Sequence, residues 1–147
     1  MKLEISAQSI NESFARSTVA AFAAQVNPTL DEINDIKTAV SEAVTNCVVH
    51  AYKDKGDNMI KIECELYADH IQISITDRGK GIKDIQTAIQ PFVTDKLEDE
   101  RSGMGFTVMQ SFMDSVNVQS KYGEGTTVTM QKIFESRPVG QAKAKRA

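Results

Sequence analysis

Twice between residues 59 and 77 an apolar side chain recurs at every second position. Ile60, Ile62, Cys64 and Leu66 form the first run, and Ile71, Ile73 and Ile75 the second. Successive side chains of a strand point to opposite faces, so each run is a strand with one face on a core. The short polar link between them predicts an antiparallel hairpin. Asp77 falls in phase with Ile71, Ile73 and Ile75. The second strand therefore carries a carboxylate toward the buried face, where a charge without a partner is costly.

The rest of the chain supplies cover for that face. Lys2 to Ala7 alternates and predicts another strand. Ser9-Ile10-Asn11-Glu12 has the capping-box pattern. It opens a helix to about Gln25, with Ile10, Phe14, Ala21 and Phe22 expected inside, and Asn27-Pro28 ends it. Thr29-Leu30-Asp31-Glu32 repeats the capping box and opens a second helix to about Ala51. Its expected stripe is Leu30, Ile33, Lys37, Val40, Val44, Cys47 and Val48, with Lys37 burying only its stem. Lys53 to Asn58 is a polar turn. Asp84 to Ile89 predicts a short helix, and Gln90 to Arg101 a long irregular stretch of the kind that is functional or mobile. Gly103-Met104-Gly105-Phe106 is expected to open a helix to about Ser115. Val116 to Ser120 and Thr126 to Ile133 form a second hairpin around Tyr122–Gly125. The order predicts an α/β (more strictly α+β) two-layer sandwich, with helices on one face of a mixed, mostly antiparallel sheet. One domain is expected over residues 1–134, and a disordered tail over 135–147.

Composition narrows the function. A chain of 147 residues builds one core. Its 17 basic and 20 acidic residues give a net charge of −3, without the broad basic face that nucleic-acid binding uses. No apolar run is long enough to span a membrane, and the N-terminus does not read as a signal peptide. Cys47 and Cys64 lie in apolar-patterned segments and read as reduced thiols of a cytoplasmic protein. With His50 and His70 they make no zinc spacing.

Several residues carry candidate chemistry, each beside a plainer reading. Asp77 is a turn aspartate capping its loop, or a carboxylate awaiting a ligand's donor such as the adenine amine. Gly79 and Gly81 leave space for a flat ring to approach the backbone. Glu42 and Asn46 share one helix face, roughly opposite the apolar stripe. That face is solvated, or it offers a glutamate base and an asparagine oxygen suited to magnesium. Gly103-Met104-Gly105 at a helix start is a packing device or an anion site. Lys96 and Arg101 are surface charges, or they fold over a phosphate tail. Thr126 is a neutral core threonine, or its hydroxyl points into a pocket.

The order of these signals resembles the GHKL ATPase/kinase superfamily, over about Lys2 to Phe134. The series is Glu42-x-x-x-Asn46 on a helix, Asp77-x-Gly79-x-Gly81 after a strand, Gly103-x-Gly105 opening a helix, and Gly125-Thr126 entering the last strand. Ser41 to Asn46, Glu100 to Phe106 and Asn11 to Arg16 resemble, more narrowly, the bacterial anti-sigma F factors, which are sporulation serine kinases. Related stress-response anti-sigma kinases share the same boxes.

The resemblance implies the GHKL (Bergerat) ATP-binding fold and a homodimer. It implies ATP/ADP with Mg2+, binding of the sporulation sigma F factor, and serine phosphorylation of a STAS-type anti-anti-sigma protein, with no direct contact to nucleic acid or membrane. Asp77 would accept from the adenine amine, beside Gly79, Gly81 and Thr126. Asn46 would coordinate magnesium, and Glu42 would take the proton of the attacking serine. Lys96 belongs to the nucleotide site, and Ser102, Gly103, Met104, Gly105 and Phe106 would offer backbone N–H groups to phosphate. Arg101 would reach the γ-phosphate, and Arg16 would contact a partner or be an ordinary exposed arginine. Two other readings stay beside this one: a module that sequesters a partner without phosphorylating it, and a histidine-kinase catalytic fragment, for which no residues remain to build a phospho-acceptor hairpin.

Overall fold

The computed structural model describes residues 1–52, 58–89 and 100–135, with residues 100–104 as backbone. The predicted polar turn falls largely, and the C-terminal tail almost wholly, outside the described residues, as do residues 90–99. Strands β1 (Lys2–Ser6), β2 (Met59–Leu66), β3 (His70–Asp77), β4 (Ser115–Lys121) and β5 (Gly125–Ile133) form one sheet in the order β1-β2-β3-β5-β4. All four ladders are antiparallel, which corrects the expected mixed sheet. β4 does run parallel to β3, but the β4–β5 hairpin inserts β5 between them.

The two predicted alternations hold. The register sets Ile62 opposite Ile75, Cys64 opposite Ile73 and Leu66 opposite Ile71, and all six are buried. On the other face of the central strands, Ser74 bonds Thr129, Thr76 bonds Thr127, and Gln131 donates to Gln72. The sheet is thus apolar on one side and polar on the other, and helices cover only the apolar side.

The helices are α1 (Ile10–Ala23), α2 (Leu30–Asn46), α3 (Ile85–Ile89) and α4 (Glu100–Phe112). The capping box of α2 forms: Glu32 N–H donates to Thr29 Oγ1 at 3.1 Å, and Thr29 N–H to Glu32 Oε1 at 2.7 Å. The one expected at Ser9 does not. Ser9 is itself helical, with φ −53° and ψ −37°, whereas a capping side chain needs extended backbone to reach back. Glu12 instead pairs with Arg16 at 2.8 Å.

The buried face of α1 also differs from expectation. Ala15, Val19 and Ala23 are inside, while Ile10 is 78% and Phe14 54% exposed. Ala21 is exposed and Phe22 half-buried. The helix packs along its row of small residues, which lets α1 and α2 approach closely. On α2 the stripe is Ile36, Ala39, Val40, Ala43, Val44 and Cys47; Leu30 is exposed, and Ile33, Lys37 and Val48 are half-buried. α2 packs on both α1 and α4, so its buried arc is wide and includes alanines that carry little hydropathic signal. After Asn46 it passes into a π-helical turn, Cys47–Ala51, ending where the sequence predicts.

Candidate functional site

The apolar phase of β3 ends in a charge. Asp77 is 7% exposed and lies directly opposite Thr126, 8% exposed, in the β3–β5 ladder. Its Oδ1 accepts from the Gly79 N–H at 2.9 Å, and its Oδ2 from the Cys47 thiol at 3.6 Å. Burial pushes its carboxyl above the usual carboxylate range, and the hydrogen bonds from Gly79, Cys47 and the Thr126 backbone only partly offset this. Burial, reinforced by the Asp77 charge, likewise pushes the Cys47 thiol well up, so it serves as a protonated donor.

This carboxylate opens on a cavity of about 390 Å³, within the size range of small-ligand sites. Asn46, Cys47, Asp77 and Thr126 supply polar atoms, Phe106 and Val128 supply apolar wall, and Lys80 and Lys83 bring cations. The Lys83 ammonium lies 4.7 Å from the centre of the Tyr122 ring, another lining residue. An acceptor at the base of an apolar cleft suits a flat heterocycle with an exocyclic amine. Asn46 suits a hard cation carried by phosphates. Among the described residues there is no cluster of three or more His, Cys, Asp or Glu side chains that could hold a metal by itself.

Glycine is required around this site by the protein's own backbone. A Cβ on Gly79 would come 2.4 Å from the Ala51 carbonyl oxygen; one on Gly81, at φ +72°, would come 2.3 Å from that of Lys121. These contacts, more than room for a ring, explain both positions. A Cβ on Gly105 would lie 3.0 Å from both terminal atoms of Asn46. Gly105 thus makes space for that carboxamide.

A family model described as a histidine kinase-like ATPase domain matches residues 5–132. The anti-sigma F factor of Clostridium beijerinckii is 52% identical, covering 91% of this chain and 94% of that protein. That of Caldanaerobacter subterraneus subsp. tengcongensis is 56% identical, covering 91% and 93%. The chain belongs to the anti-sigma F factor family, within the histidine kinase-like ATPase domains.

Solved structures agree on the fold. The RsbU and RsbW domains of a Mycobacterium tuberculosis protein superpose with a TM-score of 0.62 at 22% identity, over 94% of this chain and 33% of that one. The mycobacterial sensor histidine kinase MprB superposes at 0.56 and 13% identity, over 93% and 100%.

In this anti-sigma F family member, Asn46, Asp77, Gly81, Phe106 and Thr126 line one cavity, with Gly79 and Gly105 directly behind it. Glu42 does not line it. It shares a separate groove between α1 and α2 with Glu12, Arg16 and Lys37. Lys96 lies outside the described residues, and the side chains of Arg101, Ser102, Gly103 and Met104 are not among those described.

The start of α4 requires a correction. The helix already includes Glu100, whereas the glycine pair was expected to open it. Met104, Gly105 and Phe106 therefore lie beyond its first turn, where N–H groups reach carbonyls four residues back. Donation from them to phosphate would need that turn to open. Phe106 contributes cavity wall instead.

The sequence reading missed Cys47 as a polar contact, because its neighbours place it in an apolar stripe. It also missed Ser120. Ser120 Oγ accepts from the Ile82 N–H at 2.8 Å, donates to the Gly125 carbonyl at 3.0 Å, and bonds the Thr126 hydroxyl at 2.8 Å. It thereby ties the Gly81–Ile82 loop to the threonine beside Asp77. Tyr52 is a similar tie: its hydroxyl donates to the Met59 carbonyl at 2.8 Å and accepts from the Arg78 N–H.

Proposed function

We propose that the protein is an ATP-dependent anti-sigma serine kinase of the cytoplasm. It would hold the sporulation sigma F factor inactive and phosphorylate a serine of a STAS-type anti-anti-sigma protein, working as a homodimer. The observation that carries this reading is the buried Asp77 carboxylate, held as an acceptor at the base of the same cavity that Asn46 lines. An isolated charge in that position would be a net cost to the fold. A ligand amine gives it a use.

In this reading Asp77 accepts from the adenine amine, Thr126 and Gly81 frame the base, and Asn46 supplies an oxygen to Mg2+ carried on the phosphates. Lys96, Arg101, Ser102 and Gly103 belong to the phosphate end. Glu42 takes the proton of the incoming serine, and Arg16, in the same groove, meets the protein partner. Catalysis rests on positioning and charge neutralisation, as phosphoryl transfer requires.

One observation favours a second reading, sequestration of a partner without phosphoryl transfer: Glu42 faces the α1–α2 groove and not the nucleotide cavity. Incubation with γ-labelled ATP, Mg2+ and an anti-anti-sigma domain separates the two. Label on serine is the expected result. ATP binding without transfer selects the sequestering module, and label on histidine removes both. Repeating the assay with sporulation and stress-response antagonists assigns the sigma factor.

A further inference from the structure

The polar contacts of Asp77 are shared between its two oxygens. Oδ1 is held by the Gly79 N–H, a backbone donor on its own loop. Oδ2 is met by the thiol of Cys47, thirty residues earlier in the chain. The last torsion of an aspartate is broad and roughly two-fold; the Thr126 backbone makes the least of the three contributions that steady it, and Cys47 is the side-chain donor on Oδ2. Donors on both oxygens fix its plane.

Cys47 is well placed for this. It is 4% exposed, it follows Asn46 directly, and it begins the π-helical turn Cys47–Ala51. π-helical turns break the regular helical progression, often at functional sites. Cys47 and Asp77 approach the same cavity from opposite layers, one from the helices and one from the sheet.

We infer that Cys47 is a positioning residue for base recognition, its thiol orienting the Asp77 carboxylate toward the exocyclic amine of adenine. The inference rests on the adenine-nucleotide reading above and adds a residue to it. Cys47 touches the carboxylate, and base selectivity depends on which way that carboxylate points. A purine with a carbonyl in place of the amine sets oxygen against oxygen, so inosine triphosphate is the informative competitor.

The test is the ratio of ATP to inosine triphosphate affinity, measured by calorimetry on wild type, Cys47→Ala and Cys47→Ser. The ratio is internal to each protein and insensitive to the fraction folded. Wild type is expected to prefer ATP. Cys47→Ala should narrow that preference by about 3- to 10-fold, the worth of one ordinary hydrogen bond. Cys47→Ser, which keeps a donor, should recover much of it. An unchanged ratio in Cys47→Ala overturns the role of Cys47 while leaving the adenine reading intact. Equal narrowing in both variants overturns it too, because packing and not the donor would then be responsible. Equal affinity of wild type for the two nucleotides removes the adenine reading and this inference together.

Discussion

The cavity at Asp77 and the groove between α1 and α2 are built by opposite means. The cavity end is set by the sheet. Asp77 and Thr126 are fixed by strand phase and register, are almost fully buried, and are cross-tied by Gly79, Cys47 and Ser120. The groove is set by side chains on two helix surfaces. Arg16 and Glu12 pair at 2.8 Å with side chains 37% and 23% exposed, and Glu42 is half-buried beside them. The first region has its polar groups already in place. The second presents charged side chains on the surfaces of two helices, which the proposed function assigns to a protein partner. In the proposed function, nucleotide recognition is thus preorganised and partner recognition adaptable.

Substitutions should separate the two regions. The largest effect is expected at the groove: Glu42→Ala should lower phosphoryl transfer by about 10²- to 10⁴-fold, the range of a general base. ATP affinity, measured by fluorescent-nucleotide displacement, should stay within about twofold, since the worth of this residue as a base is kinetic. Full transfer in this variant would remove Glu42 as the base.

Next comes the cavity. Asp77→Asn should weaken ATP by about 10- to 100-fold through loss of a charged acceptor, with a smaller effect on inosine triphosphate. The same change should stabilise the nucleotide-free protein. Because burial raises its pKa, folded Asp77 keeps its proton to a higher pH than the unfolded chain does. Stability therefore falls as pH rises through that interval, from the unfolded pKa to the raised folded one. Melting should rise by about 2–4 °C at pH 7 in Asp77→Asn, and the gain should shrink as pH drops through the raised folded pKa and be gone below the ordinary carboxylate range. A uniform gain at every pH would contradict this origin.

Ser120→Ala is expected to be milder. It removes the tie among Ile82, Gly125 and Thr126 and should weaken ATP by about 3- to 10-fold, as one buried hydrogen bond would. An unchanged affinity would show that the Gly81–Ile82 loop holds itself. The smallest stability effect belongs to Arg16→Ala. Its half-exposed pair with Glu12 is worth at most about 1 kcal/mol, so thermal unfolding should scarcely move while capture of the protein partner is lost. A large drop in melting temperature would make Arg16 a structural residue.

Much of this was legible in the residues themselves. Both hairpins follow from period-two alternation, the capping box at Thr29 forms as written, and the phase of Asp77 with Ile71, Ile73 and Ile75 predicts its burial. These are local properties, decided by which neighbours two to four positions away share a face. The failures are equally specific. Ser9 carries the capping letters but sits in helical backbone. Ile10 and Phe14 look like the inner face of α1, yet the row of Ala15, Val19 and Ala23 packs instead. α4 includes Glu100, ahead of the glycines that suggested its start.

By itself the sequence determined the elements, the polarity of each sheet face and the order of its site motifs. It also determined that a carboxylate would be buried at the end of β3, because side-chain phase along a strand is fixed by backbone geometry. Only the tertiary structure decided which row of α1 is buried, that β5 separates β4 from β3, and that Gly105 lies under Asn46. Only there does Cys47 meet Asp77. Each of those depends on surfaces brought together from distant parts of the chain, and close packing selects among faces that local periodicity leaves equivalent.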